Sequence, residues 1–339
     1  MKQDIVNEAL KERFLLQKEY LGDNKLVNQI NPLVSITVAT YQHVDYIKQC
    51  LDGILMQKTN FLYEVIIGED GSIDGTQEIC KEYARKYPDK IRLFIRDRNL
   101  SQFVTDNSEV IRFNGIWNRM SARGKYIAWC EGDDYWTDPY KLQKQVDFLE
   151  SHPDYVVCSH RYQVYEQKIK RFTSILPIIN HKEGDDFLMT DLIQGKWLIQ
   201  PLCMVYRKSV LENERLKRYR YVIDTVFVYN MLTQGKAFCF SDVMGVYRIQ
   251  EKGIWSGIDS NEKIFLQLKA TKAIYDVERS AEAARFLLFQ FSKPISRIWL
   301  LKNIKRVKPM LDNLAEFYGL GFVVKLLSKK ILLNKNANL

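Results

Sequence analysis

Four short apolar runs, separated by stretches with helical patterning, constrain the fold of this chain more than any other feature. They are Leu33–Thr40, Tyr63–Gly68, Ile91–Ile95 and Tyr126–Cys130. Runs of this length, apolar on both faces, suit parallel strands buried between layers. Between the first two, Ile47, Leu51, Ile54 and Leu55 fall on one helical face. Asp74-Gly75-Thr76 opens another helix carrying Ile79, Tyr83 and Tyr87, and Pro88-Asp89 closes it. A further helix is expected over about 105–121, ahead of the fourth run. Strands alternating with helices in this order predict a doubly wound α/β unit.

Two of the runs end in acids. One leads into Glu69-Asp70-Gly71-Ser72, the other into Glu131, Asp133 and Asp134. Open parallel sheets bind ligands at the carboxyl ends of their strands. Crowded carboxylates repel one another unless a cation sits among them. An oxygen-only set with no neighbouring His/Cys pair suits Mg2+ or Mn2+, and such an ion commonly arrives with a phosphate-bearing substrate. A purely structural account also exists. Asp138-Pro139 has the form of a cap for the next helix, and Asp70 and Ser72 suit a turn around Gly71.

The residues Val34-Ser35-Ile36 with Thr40-Tyr41, Glu69-Asp70-Gly71-Ser72-Ile73-Asp74-Gly75-Thr76, Gly124-Lys125-Tyr126-Ile127-Ala128 and Glu131-Gly132-Asp133-Asp134-Tyr135-Trp136 together resemble family-2 glycosyltransferases. The resemblance runs from about Pro32 to Ser256, where Tyr247-Arg248 and Gly253-Ile254-Trp255-Ser256 continue it. It is strongest toward bacterial enzymes that build capsule, O-antigen and other surface polysaccharides. It implies the GT-A fold: a mixed, mostly parallel sheet flanked by helices, here followed by a helical basic carboxy-terminal region. It also implies transfer of a sugar from a nucleoside-diphosphate sugar, UDP-linked by expectation, with inversion at the anomeric carbon. The acceptor would be a glycan or a lipid-linked saccharide.

The same resemblance distributes roles. Asp70 would accept from uracil N3–H, and Thr40 and Tyr41 would touch the nucleoside. Glu131 would reach ribose or a metal-bound water. Asp133 would be the direct ligand of Mn2+ or Mg2+. Asp134 would either position Asp133 or bond the sugar. Asp224, ahead of the pattern Tyr229, Met231, Leu232, corresponds to the catalytic base; helix capping is the structural alternative. Relatives often carry a His where this chain has Gln250, so a third metal ligand is not assigned. Arg248 or Lys252 could supply positive charge there instead. Trp255 either stacks on a sugar face or belongs to the core.

The remaining features fit a globular enzyme. Domain expectations are a helical preamble over 1–31, a catalytic domain over 32–256 and a basic helical region over 257–339. Within the catalytic domain, about 32–140 would bind nucleotide and about 141–256 acceptor. In the preamble, Leu10, Phe14 and Leu15 are candidates to pack on the catalytic domain. The four histidines lack metal spacing. The six cysteines form no Cys-x-x-Cys pair and lie mostly in apolar runs, which suggests free thiols and a reducing compartment. No signal segment or membrane span is read from the sequence, so the expected location is cytoplasmic. Of the net charge of +9, residues 293–339 carry ten Lys/Arg against two acids, interleaved with apolar groups. That segment suits either the inner face of an anionic membrane or packing on the catalytic domain. No nucleic-acid motif accompanies the charge. A dehydrogenase would need a Gly-rich turn after the first strand, where Thr40-Tyr41-Gln42-His43 stands. The non-enzymatic alternative is a degenerate carbohydrate-binding or scaffolding protein on the same fold.

Overall fold

A computed structural model describes residues 2–104, 110–219, 223–250, 253, 257–293 and 297–333. The strands are β1 Val34–Thr40, β2 Tyr63–Glu69, β3 Ile91–Ile95, β4 Gln102–Val104, β5 Val110–Arg112, β6 Tyr126–Trp129, β7 Tyr135–Trp136, β8 Tyr155–Glu166, β9 Arg171–Leu176, β10 Gly184–Phe187, β11 Val205–Arg207 and β12 Lys236–Ile249. The helices are α1 Lys2–Leu15, α2 Ile47–Leu55, α3 Thr76–Lys86, α4 Asn114–Met120, α5 Lys141–Ser151, α6 Met189–Ile193, α7 Glu214–Arg218, α8 Asp224–Leu232, α9 Ser260–Glu278, α10 Ala281–Ser292, α11 Arg297–Lys302, α12 Ile304–Tyr318 and α13 Leu320–Leu333.

The chain divides into two compact units. The first holds Met1–Asp186, Leu198–Glu212 and Gly235–Ile249; the second holds Phe187–Trp197, Asn213–Gln234 and Gln250–Leu339. The first unit is built on a sheet in the order β10-β12-β8-β11-β6-β1-β2-β3. Its β6-β1-β2-β3 side is wholly parallel. β11 enters antiparallel between β6 and β8, and β12 runs parallel to β8.

Both faces of the parallel part are covered, as its apolar strands require. On one face, Val34, Ile36 and Val38 of β1 pack with Ile47, Leu51 and Ile54 of α2, Cys80 and Ala84 of α3, and Leu142, Val146 and Leu149 of α5. On the other, Val6 of α1 joins Phe113 and Trp117, with Leu10 and Phe14 against them. Leu15 is exposed. The amino-terminal stretch is α-helical only through Leu15, after which Glu19 bridges to Phe94. The helix expected from about 105 begins only at Asn114. Gln102–Val104 and Val110–Arg112 pair as an antiparallel hairpin, where Val110 and Ile111 favour strand over helix.

A fully buried carboxylate locks the amino ends of the parallel strands. Glu64 accepts from the Ser35 hydroxyl at 2.6 Å, from the Arg123 Nη2 at 2.6 Å and from the Arg92 Nη1 at 3.3 Å. Gly124 is needed there because a Cβ would lie 2.7 Å from the Ser35 backbone nitrogen.

The second unit is helical. Every residue from Thr225 to Leu232 of α8 is buried, and Thr225 donates to Gln267 of α9 at 2.7 Å. Asp259 caps α9 by accepting from Asn261 and Glu262, and Ser280 caps α10. α12 buries Val307, Met310, Leu311 and Leu314, and packs on α9 and α10.

The core of the first unit contains one unusual group. Lys141, the first residue of α5, is fully buried. Its ammonium donates to Gln145 Oε1 at 2.7 Å and lies 4.0 Å from the Trp136 ring centroid. Gln145 in turn donates to the carbonyls of Cys158 and Cys203. Burial pulls the lysine down to about 8. Between that value and the unfolded amine near ~10.4, the unfolded chain binds the extra proton, so folding stability rises with pH through this window. Lys141→Met should therefore raise the thermal midpoint at neutral pH, and the gain over the wild type should shrink toward about pH 10. A difference between the two proteins that is constant across that range would show that the amine does not titrate in the fold.

Candidate active site

The parallel register sets the site. Thr40 pairs with Glu69, and Thr37 with Trp129, so the carboxyl ends of β1, β2 and β6 emerge side by side. The Asp70 N–H donates to the Thr40 carbonyl at 3.0 Å, and the Gly132 N–H donates to the Ala39 carbonyl at 3.0 Å. Both acid-bearing loops are thereby tied to the end of β1.

Asp70 is buried, with Arg98 Nη1 at 2.7 Å from one carboxylate oxygen and the Ser101 hydroxyl on the other. Burial pushes its carboxyl up, against the opposing pull of Ser101, Arg98, Arg96 and Arg112. The Arg98 guanidinium also lies 3.4 Å from the centroid of the half-buried Tyr41 ring. Asp70, Arg98 and Tyr41 thus form one cluster. Glu69 behaves differently from its neighbour. It is fully buried and accepts from the Gly71 and Ser72 N–H groups and from Gln77 Nε2. Its carboxylate shapes the turn, so this strand end presents Asp70 and not an acid pair.

The loop after β1 is laced to the loop after β2. The Gln42 N–H donates to the Ser72 hydroxyl, the His43 N–H to the Thr76 hydroxyl, and the Val44 N–H to Asp74. Thr40 is buried and its hydroxyl lies 3.2 Å from His43 Nδ1. Burial lowers the His43 imidazole, partly opposed by Asp133 and Asp74, while Arg248 adds to the lowering.

The second acid loop divides its carboxylates. Glu131 and Asp133 are half-buried. The Trp129 indole donates to Glu131 Oε1 at 2.6 Å. Asp134 is buried and accepts from the Arg248 N–H at 2.8 Å. Burial, then the adjacent Asp133 charge, push its carboxyl well above the usual range. Asp134 therefore joins the acid loop to the end of β12. Arg248 completes that joint. Its Nη1 donates to the Asp133 carbonyl at 2.5 Å, its Nη2 donates to Gln49, and its guanidinium lies between the Tyr46 and Tyr135 rings.

Among the described residues, no group of three His/Cys/Asp/Glu side chains could hold a metal alone. The half-buried pair Glu131 and Asp133 nevertheless fits a hard ion that takes one or two carboxylates and completes its shell with substrate phosphates and water.

Two predicted residues lie in the second unit. Asp224 is exposed and is the first residue of α8; the N-cap position belongs to Ile223. Gln250 follows β12 and its carbonyl accepts from the Gly253 N–H. Lys252 and Trp255 lie outside the described residues. Sequence reasoning passed over His43 and Arg98. Their signal is positional: each directly follows a strand at the edge that carries the acids.

The sequence profile of glycosyl transferase family 2 matches residues 35–107 and 117–214. The chain belongs to that family. A curated family relative in sequence, the uncharacterized protein Rv1520 of Mycobacterium tuberculosis, is 33% identical over 237 residues, which is 70% of this chain and 64% of that protein. The chain thus spans just under two thirds of that relative's length. TuaG of Bacillus subtilis, whose name assigns it a provisional role in teichuronic acid biosynthesis, is 25% identical over 76% of this chain and 91% of its own. Among solved structures, Staphylococcus aureus TarS 1–349 with UDP-GlcNAc superposes with a TM-score of 0.63 at 15% identity, covering 88% of both chains. The mannosyltransferase PcManGT of Pyrobaculum calidifontis with GDP-Man and Mn2+ superposes at 0.50 with 16% identity, covering 90% of this chain and 81% of its own. Both share the GT-A fold found here, a mixed sheet flanked by helices with a helical carboxy-terminal region.

Close packing around Gly132 generates a prediction. A Cβ at 132 would lie 2.7 Å from Thr40 Oγ1 and 2.8 Å from both Thr40 Cβ and His43 Nδ1. The loop carrying Glu131 and Asp133 can rest on β1 only with glycine between them. Gly132→Ala should cost about 1–3 kcal/mol of stability, as overpacking does. Urea denaturation measures it, and an unchanged midpoint would mean the loop has slack.

Proposed function

We propose that this protein is an inverting glycosyltransferase that moves a sugar from a UDP-sugar to a hydroxyl of a glycan or lipid-linked acceptor. The carrying observation is the convergence of Asp70 with Glu131 and Asp133 on the strand ends that flank β1. An acidic acceptor beside an aromatic ring suits a uracil edge. Two carboxylates one strand away suit a metal-bound diphosphate. TarS with UDP-GlcNAc and PcManGT with GDP-Man and Mn2+ support the same donor chemistry. The relation to TuaG supports surface-polysaccharide synthesis as its setting.

In this reading Asp70 accepts from uracil N3–H, Thr40 and Tyr41 contact the nucleoside, and Arg98 orients the Asp70 carboxylate. Asp133, with Glu131, holds Mn2+ or Mg2+. The bound ion offsets diphosphate charge as a Lewis acid. Asp134 holds the loop rather than substrate. Asp224 takes the proton from the acceptor hydroxyl as its oxygen bonds to the anomeric carbon and the bond to the diphosphate breaks. Its exposure leaves the carboxylate accessible to a substrate hydroxyl.

The proposal predicts that UDP binds more tightly with Mn2+ than with EDTA in calorimetry, and that wild-type protein releases UDP from a UDP-sugar. Asp133→Asn should remove the Mn2+ enhancement. Asp224→Asn should keep UDP binding and lose about 10²–10⁴ in transfer rate, the usual cost of a positioned base. Metal-independent UDP affinity would sink the bridge. A fully active Asp224→Asn would leave Asp224 a helix-start residue only. UDP binding with no turnover would make the chain a binding protein.

The carboxy-terminal helices support a peripheral membrane location. No helix among the described residues is long and apolar enough to cross a membrane. α12 uses its apolar side for packing, and Val323 of α13 is buried, but Leu320 and Val324 are exposed beside Lys325. Contact of such a face with anionic lipid is worth about 1 kcal/mol per nearby cation, screened by salt. Full-length protein should co-sediment with phosphatidylserine vesicles at low salt and less at high salt. The triple variant Leu320→Ser, Val324→Ser, Lys325→Gln should reduce that binding. Equal sedimentation of the variant and wild type would assign the helix to packing alone.

A further inference from the structure

We infer that a recess on the β8–β12 side of the acid loop is a subsite for one saccharide unit of the acceptor. The inference rests on the glycosyltransferase reading above and adds to it a place and a ligand class. The recess measures about 340 Å³, within the range of small-ligand sites. Asp45, Tyr46 and Gln49 reach it from the start of α2, and Tyr135 reaches it from β7. Tyr165 and Gln167 close it from the end of β8, above Arg248.

The chemistry of this lining matches a sugar. A pyranose has apolar C–H faces and a rim of hydroxyls. It is held by flat aromatic faces together with amides and carboxylates that donate and accept at the rim. Here three tyrosines supply faces, while two glutamines and one aspartate supply the rim. The faces are fixed in advance. The Arg248 guanidinium sits 5.2 Å from the Tyr46 ring centroid and 4.5 Å from that of Tyr135. Tyr165 is braced edge-on by Phe172 at 5.0 Å. A phosphate fits poorly. The one cation in the wall is only 7% exposed and already donates to the Asp133 carbonyl and to Gln49.

Position assigns the sugar to the acceptor. Asp70, Arg98 and Tyr41 mark the nucleoside side at the ends of β1, β2 and β3. The recess lies across the acid loop, at the ends of β7, β8 and β12. It shares a wall with that loop, because Arg248 bonds the Asp133 backbone. A ligand there meets Asp133 from the side away from the nucleotide. Attack opposite the leaving diphosphate requires such a separation.

Saturation-transfer NMR on full-length protein tests this with millimolar methyl glycosides of glucose, galactose, mannose and N-acetylglucosamine as probes. At least one should receive saturation at its ring C–H protons, and the signal should persist when UDP and Mn2+ are added. Tyr165→Ala should abolish it, Tyr165→Phe should keep it, and Gln167→Ala should weaken it several-fold. A thermal midpoint is taken for each variant. Should Tyr165→Ala prove unfolded, Gln167→Ala decides. No transfer to any glycoside overturns the subsite, as does unchanged transfer in the deciding variant. Displacement by UDP and Mn2+ overturns the acceptor assignment by placing the sugar on the donor side. UDP binding in calorimetry without glycoside binding removes this subsite and leaves the donor reading standing. Glycoside binding without UDP binding does the reverse.

Discussion

The acidic edge depends on β1 being hydrogen-bonded in parallel on both sides. With β2 on one flank and β6 on the other, the three strands finish at one level, and whatever follows them is forced into proximity. Antiparallel neighbours would have sent one acid loop to the far end of the sheet. The backbone then tightens the arrangement. The Asp70 and Gly132 N–H groups both donate to carbonyls in the last two residues of β1. Charge repulsion between the loops is thus resisted by main-chain bonds that no side-chain substitution removes.

Within that edge, the carboxylates separate by solvation. Glu69 and Asp134 are enclosed and spend their oxygens on backbone N–H groups. Glu131 and Asp133 stay half-buried, where a substrate can reach them. Asp70 is intermediate: it is enclosed, but its partners are the side chains of Arg98 and Ser101, which can rearrange around a ligand. Adjacent acids in one short stretch of sequence therefore perform different work, and only enclosure distinguishes them.

The same distinction marks what the sequence could reveal. The strands at 34–40, 63–69, 91–95 and 126–129 were legible because burial on both faces demands unbroken apolar runs. The family and the acid clusters were legible because they sit in contiguous motifs. The hairpin of β4 and β5 was not, since three-residue exposed strands carry little periodicity. Glu69 was indistinguishable from Asp70 because its turn bonds are invisible in a one-dimensional pattern. His43 and Arg98 acquire meaning from neighbours 30 or more residues away, such as Thr76 and Asp70. Arg248 was read as a charge for the substrate. The structure turns it inward, because two tyrosines and the Asp133 carbonyl offer it a complete set of partners.

Gly68, near the end of β2, leaves a hollow into which the Arg96 guanidinium and the amides of Asn114 and Asn118 project. Arg96 donates to both asparagines, Asn114 donates to the Gly68 carbonyl, and Asn118 donates to the Val38 carbonyl. The arrangement works as a single inherited unit. A side chain at 68 evicts the guanidinium, and losing the guanidinium strands two buried amides. Descendants of this chain can therefore leave the arrangement only by exchanging several of these residues together. The four positions should drift as a block through the family tree, at a tempo set by the rarity of such joint events.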